Sequence, residues 1–577
     1  MDAGAGASFS LPWDMRLWSM RGVLLGDWEL GIRNGGALSD NWQLRRTEAQ
    51  LAESYVQQGH WTEDTLGSVL DRHLREHAHL TFRVWSKERA YQGTVGDVHE
   101  LACRVAGALS ARGIGRGDVV AFQIPSWVEA AATFWGSALC GAIVLPIVHF
   151  YGPKEVGFIL RESGARAFMT ADRFRSFDYL AALDDVCAAA DDLKVVVAVG
   201  EAPDSVVPFE MFVDHSPIET FSAVEPEEPA VIAYTSGTTA NPKGVIHTHR
   251  SILAETMQLA AIQALDELPT LAGAPVGHFI GMTTGLLLPL VRGLPIHLID
   301  VWDPAAVLSA MLEANLTAGG GSPFFLNSLL DHPDCTSDHV ERMKTIGLGG
   351  APVPAAVGER AESLGISIIR SYGCSELPSV TGSRHEDPRE KRIYTDGGVL
   401  PGVEMRIVDD EGRDLPPGEP GEILARGPEL FAGYIDSSLT ADVFSDPDWL
   451  ATGDIGVVDE HGWLTITDRK KDVIIRGGEN ISAGEVEELL AKMPGVAEVA
   501  VVAGPDLRMG ERACAFVRRT ADVEAPDLAT MQEYLGAAGL TRQKWPEEVH
   551  EIEEFPRTPS GKIKKFELRE RLRSSSS

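Results

Sequence analysis

The sequence predicts an α/β protein of at least two domains, and three observations carry that expectation. Its 577 residues, 44% of them hydrophobic, exceed what a single core usually holds. From about Trp61 to Arg469, helical periodicities alternate with short β-rich runs, the pattern of helices layered on a sheet. After the charged run Asp468-Arg469-Lys470-Lys471-Asp472 the pattern changes to a shorter α+β block. The expected organisation is a large N-terminal domain of layered α/β subdomains over 1–468, with a tryptophan-rich extension over 1–45, followed by a small α+β C-terminal domain over 469–577.

Taken in order, the extension holds Trp13, Trp18, Trp28 and Trp42. It has few of the basic residues an interfacial membrane helix carries, so packing through its indoles is expected, with peripheral membrane contact as the alternative. Acidic Asp2 and Asp14 stand where a signal peptide would be basic, and the expected location is cytoplasmic. DVHELACRVAGALSARG reads as a helix, and VVAFQI, KVVVAV and AVIAY as strands. The uncharged run from Ala131 to Phe150 approaches the roughly 20 residues of a membrane span, but Gly136, Gly141 and Pro146 divide it into a buried helix and a short strand. No integral membrane segment is therefore expected. In the small block, VIIRGG and EVAVVAGP read as strands, and Ser482 with Glu485 opens a capped helix. The Ser574–Ser577 tail is expected to lack order.

Composition excludes whole classes of function. The 84 acidic and 51 basic residues give a net charge of −33, which argues against general affinity for nucleic acid or anionic membrane. A polyanionic ligand must meet locally placed donors. The six cysteines contain no Cys-x-x-Cys pair, so neither a disulfide framework nor a zinc site is suggested.

One segment is poor core material: YTSGTTANPKGVIHTH, from Tyr234 to His249. Strand-like Val231–Tyr234 precedes it, Val245–Thr248 forms its end, and a helix follows. Thr235, Ser236, Thr238 and Thr239 offer hydroxyl donors, Gly237 and Gly244 permit close backbone approach, and Lys243 adds positive charge, a set suited to phosphate oxygens. The order Pro242-Lys243-Gly244 before a strand is not that of a Walker A loop, in which Gly-Lys-Ser/Thr opens a helix.

YTSGTTANPKGV resembles the phosphate loop of the adenylate-forming superfamily, in particular its acyl-CoA synthetase branch, and three further blocks follow in the family's order. GLGGAPVP with SYGCSE resembles the adenine site and its magnesium carboxylate. The resemblance assigns Gly349, Gly350, Ala351, Pro352, Ser371, Tyr372, Gly373 and Ser375 to the nucleotide and Glu376 to Mg2+. ATGDIGVVDEHGWLTITDRKKD resembles the ribose block and hinge, with Asp454 and Arg469 on the ribose and Lys471 as the pivot. PRTPSGKIKK resembles the C-terminal catalytic loop, with Lys562 as its lysine. A cation is needed there because carboxylate attack on a phosphate brings two anions together. GGEN, comprising Gly477, Gly478, Glu479 and Asn480, resembles the lining of the coenzyme A channel.

The fold implied is that of acyl-CoA synthetases, with a mobile small domain, and the activity implied is ATP-dependent acid–CoA ligation through an acyl-adenylate. Lys562, Glu376, His278 and Thr238 are the expected catalytic residues, His278 also being the gate between carboxylate and nucleotide. His278, Phe279, Gly321, Phe324, Gly347 and Cys374 are expected to line a roomy apolar acyl pocket, fitting a medium or long fatty acid or a bulky alicyclic acid. The partners implied are a small carboxylic acid, ATP and coenzyme A, and a homodimer is compatible with them. A carrier-protein phosphopantetheine is the alternative acceptor. A luciferase-like oxygenase and an ATP-binding regulator without catalysis are the remaining competitors, the latter disfavoured by the presence of Glu376, Asp454, Arg469 and Lys562.

Overall fold

The computed structural model describes residues 42–188, 190–235, 242–262, 268–446, 448–470, 472–476, 479–506, 508–521, 523–557 and 561–575. Trp13, Trp18 and Trp28 lie outside these. Trp42 and Leu44, with Tyr151 and Ile435, pack against a core that includes Ile143, Phe168 and Ile232.

An eight-stranded sheet organises the first half of the chain. Its order is Gly433–Tyr434, Lys243–Thr248, Pro229–Thr235, Ile143–Pro146, Val119–Gln123, Ala167–Ala171, Val195–Val199 and Val207–Pro208. The pairings from Pro229–Thr235 outward through Val207–Pro208 are parallel, as expected where helices alternate with strands, and the two beyond Pro229–Thr235 are antiparallel. Val119–Gln123 and Ala167–Ala171 are buried throughout, which explains their uninterrupted apolar runs. Helices Val95–Ala111 and Val128–Leu139 pack together over one face with Trp135, Phe122 and Phe134 in the core. The run at 131–150 thus divides into a fully buried helix and the strand Ile143–Pro146, as its glycines and proline suggested. Among the described residues no helix is long and apolar enough to cross a membrane.

Among the described residues, four further sheets, one of them the two-stranded pair Arg173–Phe174 and Phe177–Asp178, complete the chain up to residue 469. Two matter for the site: Thr345–Gly349 pairs in parallel with Ser367–Tyr372, and Trp449–Val458 pairs antiparallel with Leu464–Arg469. Beyond them, Glu479–Ile481, Ile474–Arg476, Gly510–Arg519 and Val496–Asp506 form another sheet, extended by Glu548–Glu551. Helix Ala483–Leu490 covers it, capped by Ser482, whose hydroxyl accepts from the Glu485 amide at 3.1 Å. Contacts hold Trp42–Ser577 together as one unit.

The charged run at 468–472 is tied more firmly than its composition suggests. Lys470 pairs with Glu422 at 2.8 Å and Asp472 with Arg569, while Asp468 is buried. Lys471, the expected pivot, lies outside the described residues.

Candidate active site

The antiparallel strands around the phosphate loop pair Thr235 with Lys243, so both residues stand at the mouth of the loop and border a continuous cleft of about 2520 Å³. Ser236, Gly237, Thr238 and Thr239 lie outside the described residues. The Lys243 ammonium is 5.2 Å from the centre of the Tyr434 ring, and the Tyr434 hydroxyl donates to Glu376 Oε1 at 2.5 Å. Burial and the adjacent carboxylate push the Tyr434 phenol well above its ordinary range, so it stays a donor. Glu376 is thereby aimed into the cleft beside the lysine of the loop.

The turn bearing Glu376 is held by the backbone. Gly373 is required there, because a Cβ would lie 1.9 Å from the Pro378 carbonyl oxygen. The Cys374 amide donates to Leu377 O at 3.0 Å and the Phe431 amide to Glu376 O at 2.9 Å. Beneath the turn, His247 Nε2 donates to the Ser375 carbonyl at 2.7 Å, with Nδ1 3.2 Å from Ser251 Oγ. Full burial lowers the His247 pKa to about 4, which fixes a neutral imidazole with its proton on Nε2. His247 and Tyr434 are positioning residues that the sequence did not reveal. His247 reads as one more residue of an alternating strand, and Tyr434 follows a Gly433 turn far from the motifs.

Asp454 and Arg469 are register partners on adjacent strands. Asp454, only 3% exposed, accepts from the Tyr372 hydroxyl at 2.8 Å through Oδ2 and from Arg469 Nε at 2.8 Å through Oδ1. Each carboxylate oxygen keeps a second lone pair, so the pair is preorganised while still able to accept from a diol. Gly349 pairs with Ser371, and Gly350, Ala351 and Pro352 continue along the same wall of the cleft with Tyr372, Gly373 and Ser375.

The C-terminal loop also borders the cleft. Gly561 has φ +85°, and a Cβ there would approach Ser322 Oγ to 2.7 Å, so only glycine lets the loop seat against the large lobe this closely. Arg557 lies over the Phe324 ring at 5.9 Å. The next residue after Gly561, Lys562, borders the cleft and acts electrostatically on His278. Burial, reinforced by that ammonium, lowers the His278 pKa to about 4, and its Nδ1 is buried without a hydrogen-bond partner among the described residues. His278 is therefore neutral at the junction between the lysine and the acyl end.

Phe279, Gly321 and Gly347 border the same cleft; Gly321 exchanges backbone hydrogen bonds of 2.9 Å with Gly347 and Gly349. Phe324 is 44% exposed and stands at the seam with the C-terminal loop rather than deep in the pocket. Cys374 borders the cleft and has Glu376 and Asp454 acting on its thiol, which burial and those anions push up. Glu479 and Asn480 lie on a strand paired with Ile475 and Arg476, while Gly477 and Gly478 lie outside the described residues. A further group, Glu255, borders the acyl end. Within SILAETMQLA it reads as a solvated helix charge, and no local signal marks it.

Comparison with known proteins agrees with this arrangement. Residues 70–435 match the family described as AMP-binding enzyme, and residues 485–562 match the AMP-binding enzyme C-terminal domain. The chain is 32% identical to the medium-chain fatty-acid–CoA ligase of Escherichia coli, covering 90% of this chain and 92% of that one. It is 33% identical to a methyl-dioxo-octahydroindenyl-propanoyl:CoA ligase of Rhodococcus jostii, over 88% and 98% of the two chains. The crystal structure of ATP-bound MatB from Rhodopseudomonas palustris superposes with a TM-score of 0.79 at 26% identity, covering 89% of this chain and all of that one.

Proposed function

The chain belongs to the AMP-binding enzyme family, and from that premise we propose that it is an AMP-forming acid–CoA ligase. In the first half-reaction a carboxylate attacks the α-phosphate of ATP, giving an acyl-adenylate and pyrophosphate. In the second, the thiol of coenzyme A attacks the acyl carbon and AMP departs. The observation that carries this reading is that one cleft gathers Lys243, Glu376, the Asp454–Arg469 pair, His278 and Lys562, residues drawn from both the AMP-binding segment and the C-terminal domain.

Each residue has a physical task. Lys562 offsets repulsion between carboxylate and phosphate as charge builds. Neutral His278, wedged between lysine and acyl end, keeps water from the reacting centre. Asp454 and Arg469 take the ribose, Gly349–Pro352 with Ser371–Gly373 and Ser375 take the base, and the loop from Thr235 through Lys243, including Thr238, takes the phosphates. Glu376 supplies a carboxylate at the cleft, a donor suited to a hard cation that keeps most of its ligands as water and phosphate. Mg2+ bound there would neutralise polyphosphate charge.

The lobe boundary after residue 468 and rotation about Lys471 belong to the same proposal. Rotation removes Lys562 and brings the Gly477–Asn480 segment toward the thiol path, since one site must first exclude water and then admit a long thiol. The acid is a medium or long fatty acid or a bulky alicyclic acid, which the ligases of Escherichia coli and Rhodococcus jostii support by their names, and a cytoplasmic location suits both substrates.

The test is a carboxylate panel of acetate, benzoate, decanoate and cyclohexanecarboxylate with ATP and Mg2+, scored by AMP release with free coenzyme A, with a holo-carrier protein and with neither. Release with decanoate or the alicyclic acid that requires coenzyme A is the expected result. Release only with the carrier would reassign the acceptor, and equal rates across all acids would remove the inference about pocket size.

A further inference from the structure

The acyl end of the cleft, expected to be apolar, carries an acid group in its wall. Glu255 lies in helix His249–Ile262, the helix that leaves the phosphate-loop strands, and is 1% exposed. It borders the cleft together with Leu259, Ile262 and Ser379. Ser379 Oγ donates to Glu255 Oε1 at 3.0 Å. Oε2 is buried and has no hydrogen-bond partner among the described residues.

Among the described residues no cation is shown acting on this carboxyl. Glu429, a second fully buried acid, feels the charge of Glu255 and takes a hydrogen bond from Gln258 Nε2 at 3.3 Å. Burial without a counter-charge favours the protonated acid, and the Glu255 pKa is pushed up to about 8. At neutral pH Glu255 is thus a carboxylic acid with a proton to donate and a lone pair to offer. A buried polar atom left without a partner is costly and uncommon in folded proteins, and the residue that carries this one borders the cleft. A smooth hydrocarbon chain would leave Oε2 unpaired in the complex; a hydroxyl or carbonyl would satisfy it.

We propose that Glu255 is a specificity-determining residue that hydrogen-bonds a polar substituent on the tail of the acid, remote from its reacting carboxylate. The substrate class is then an apolar acid bearing a hydroxyl or ketone, not a plain alkanoic acid. This rests on the acid–CoA ligase reading and narrows it. Ser379 holds Glu255 in place from the opposite oxygen, and sites built to pair a substrate's polar group discriminate strongly against analogues that lack it.

The experiment compares matched acids, straight-chain alkanoates of six to about fourteen carbons with their ω-hydroxy and oxo counterparts, and cyclohexane-ring acids with and without a ring ketone. The readout is kcat/KM from pyrophosphate release with ATP, Mg2+ and coenzyme A. In the wild type the best hydroxy or oxo acid should exceed its unsubstituted partner by about tenfold or more. Glu255→Leu should bring that ratio to about one or invert it, by raising kcat/KM for the plain acid and lowering it for the substituted one; Glu255→Gln, which keeps a donor, should retain part of the preference. A wild type that turns over plain and substituted acids equally overturns the proposal, and this arm needs no variant to fold. A Glu255→Leu enzyme that loses the same factor on every acid also overturns it, since that is the signature of a carboxyl serving only the Glu429 pair. Pyrophosphate release with no acid in the panel would instead sink the ligase reading, so the two failures are distinguishable.

Discussion

Replacing Lys562 with alanine should separate the two proposed half-reactions. The lysine follows Gly561, whose backbone seats against Ser322, and its ammonium is near enough to His278 to lower the imidazole's pKa, so its charge is felt inside the cleft. An ammonium about 4 Å from a phosphoryl oxygen, at an effective dielectric of about 20, contributes about 4 kcal/mol. At 1.36 kcal/mol per decade, its loss should slow adenylate formation by about a thousandfold. Acid-dependent ATP–pyrophosphate exchange reads this half. Release of AMP from supplied acyl-adenylate and coenzyme A reads the other, which should fall by less than about fivefold, because the lysine has no developing phosphate charge to offset there. An equal loss in both assays would refute the division of labour, and a loss below about tenfold in the first would refute the electrostatic argument itself.

Four other outcomes follow from the geometry. Gly561→Ala forces a side chain into a left-handed backbone and against Ser322; at about 1–2 kcal/mol of strain, pyrophosphate exchange should drop by about tenfold with the thermal midpoint unchanged, and an unchanged rate would mean the loop does not seat this way. His247 folds as a neutral imidazole with a pKa of about 4, below its ordinary 6.5, so its contribution is complete above about pH 6.5 and drains away as pH falls toward 4, by up to about 3 kcal/mol; His247→Gln should lose less thermal stability between pH 7 and 4.5 than the wild type, and identical losses would remove the argument. Glu255 has the opposite sign: raised to about 8, it favours the fold at low pH and loses that contribution as pH rises through 8, so Glu255→Gln should gain more stability relative to wild type at pH 8.5 than at pH 5, by a few kcal/mol on the order of three pKa units. Lys471→Pro should hold one arrangement of the lobes and lower the complete reaction more than either half assayed alone; an unaltered overall rate would remove Lys471 as the pivot.

What the sequence made legible was local, and what it hid was tertiary. The phosphate loop, Asp454 with Arg469 and the Gly561-Lys562 turn are short motifs whose chemistry is written in consecutive residues, and the alternation of helices and strands is periodicity read directly. His247 was hidden because its partner, the Ser375 carbonyl, is 128 residues away. Glu255 was hidden because its partner Ser379 is 124 residues away, and a glutamate between alanine and threonine on a helix looks solvated until the sheet and the turn close over it. The run at 468–472 shows the same limit: Asp472 pairs with Arg569 of helix Lys565–Ser575, nearly a hundred residues on, a contact that no local pattern marks.

The same contacts bear on whether a lobe could turn. With the boundary placed after residue 468, Lys565–Glu487 at 2.8 Å and Arg569–Asp472 both join residues on the C-terminal side, so they travel with the small lobe in any orientation. The contacts that cross the boundary include two ion pairs beside Lys471, Arg469–Asp454 and Lys470–Glu422, each at 2.8 Å, and, farther along, the Ser482 hydroxyl donating to Thr467 O at 3.0 Å, Gly561 against Ser322 and Arg557 over Phe324. A neutral hydrogen bond contributes about 1 kcal/mol net, and a cation–π contact at an exposed ring about 0.5–1 kcal/mol. Links of that size can be broken and remade within a catalytic cycle at little cost, whereas a large apolar interface could not. Apart from the ion pairs of Arg469 and Lys470, which a turn about Lys471 would leave in place, the named links across the boundary are weak, as the proposed departure of Lys562 between half-reactions requires.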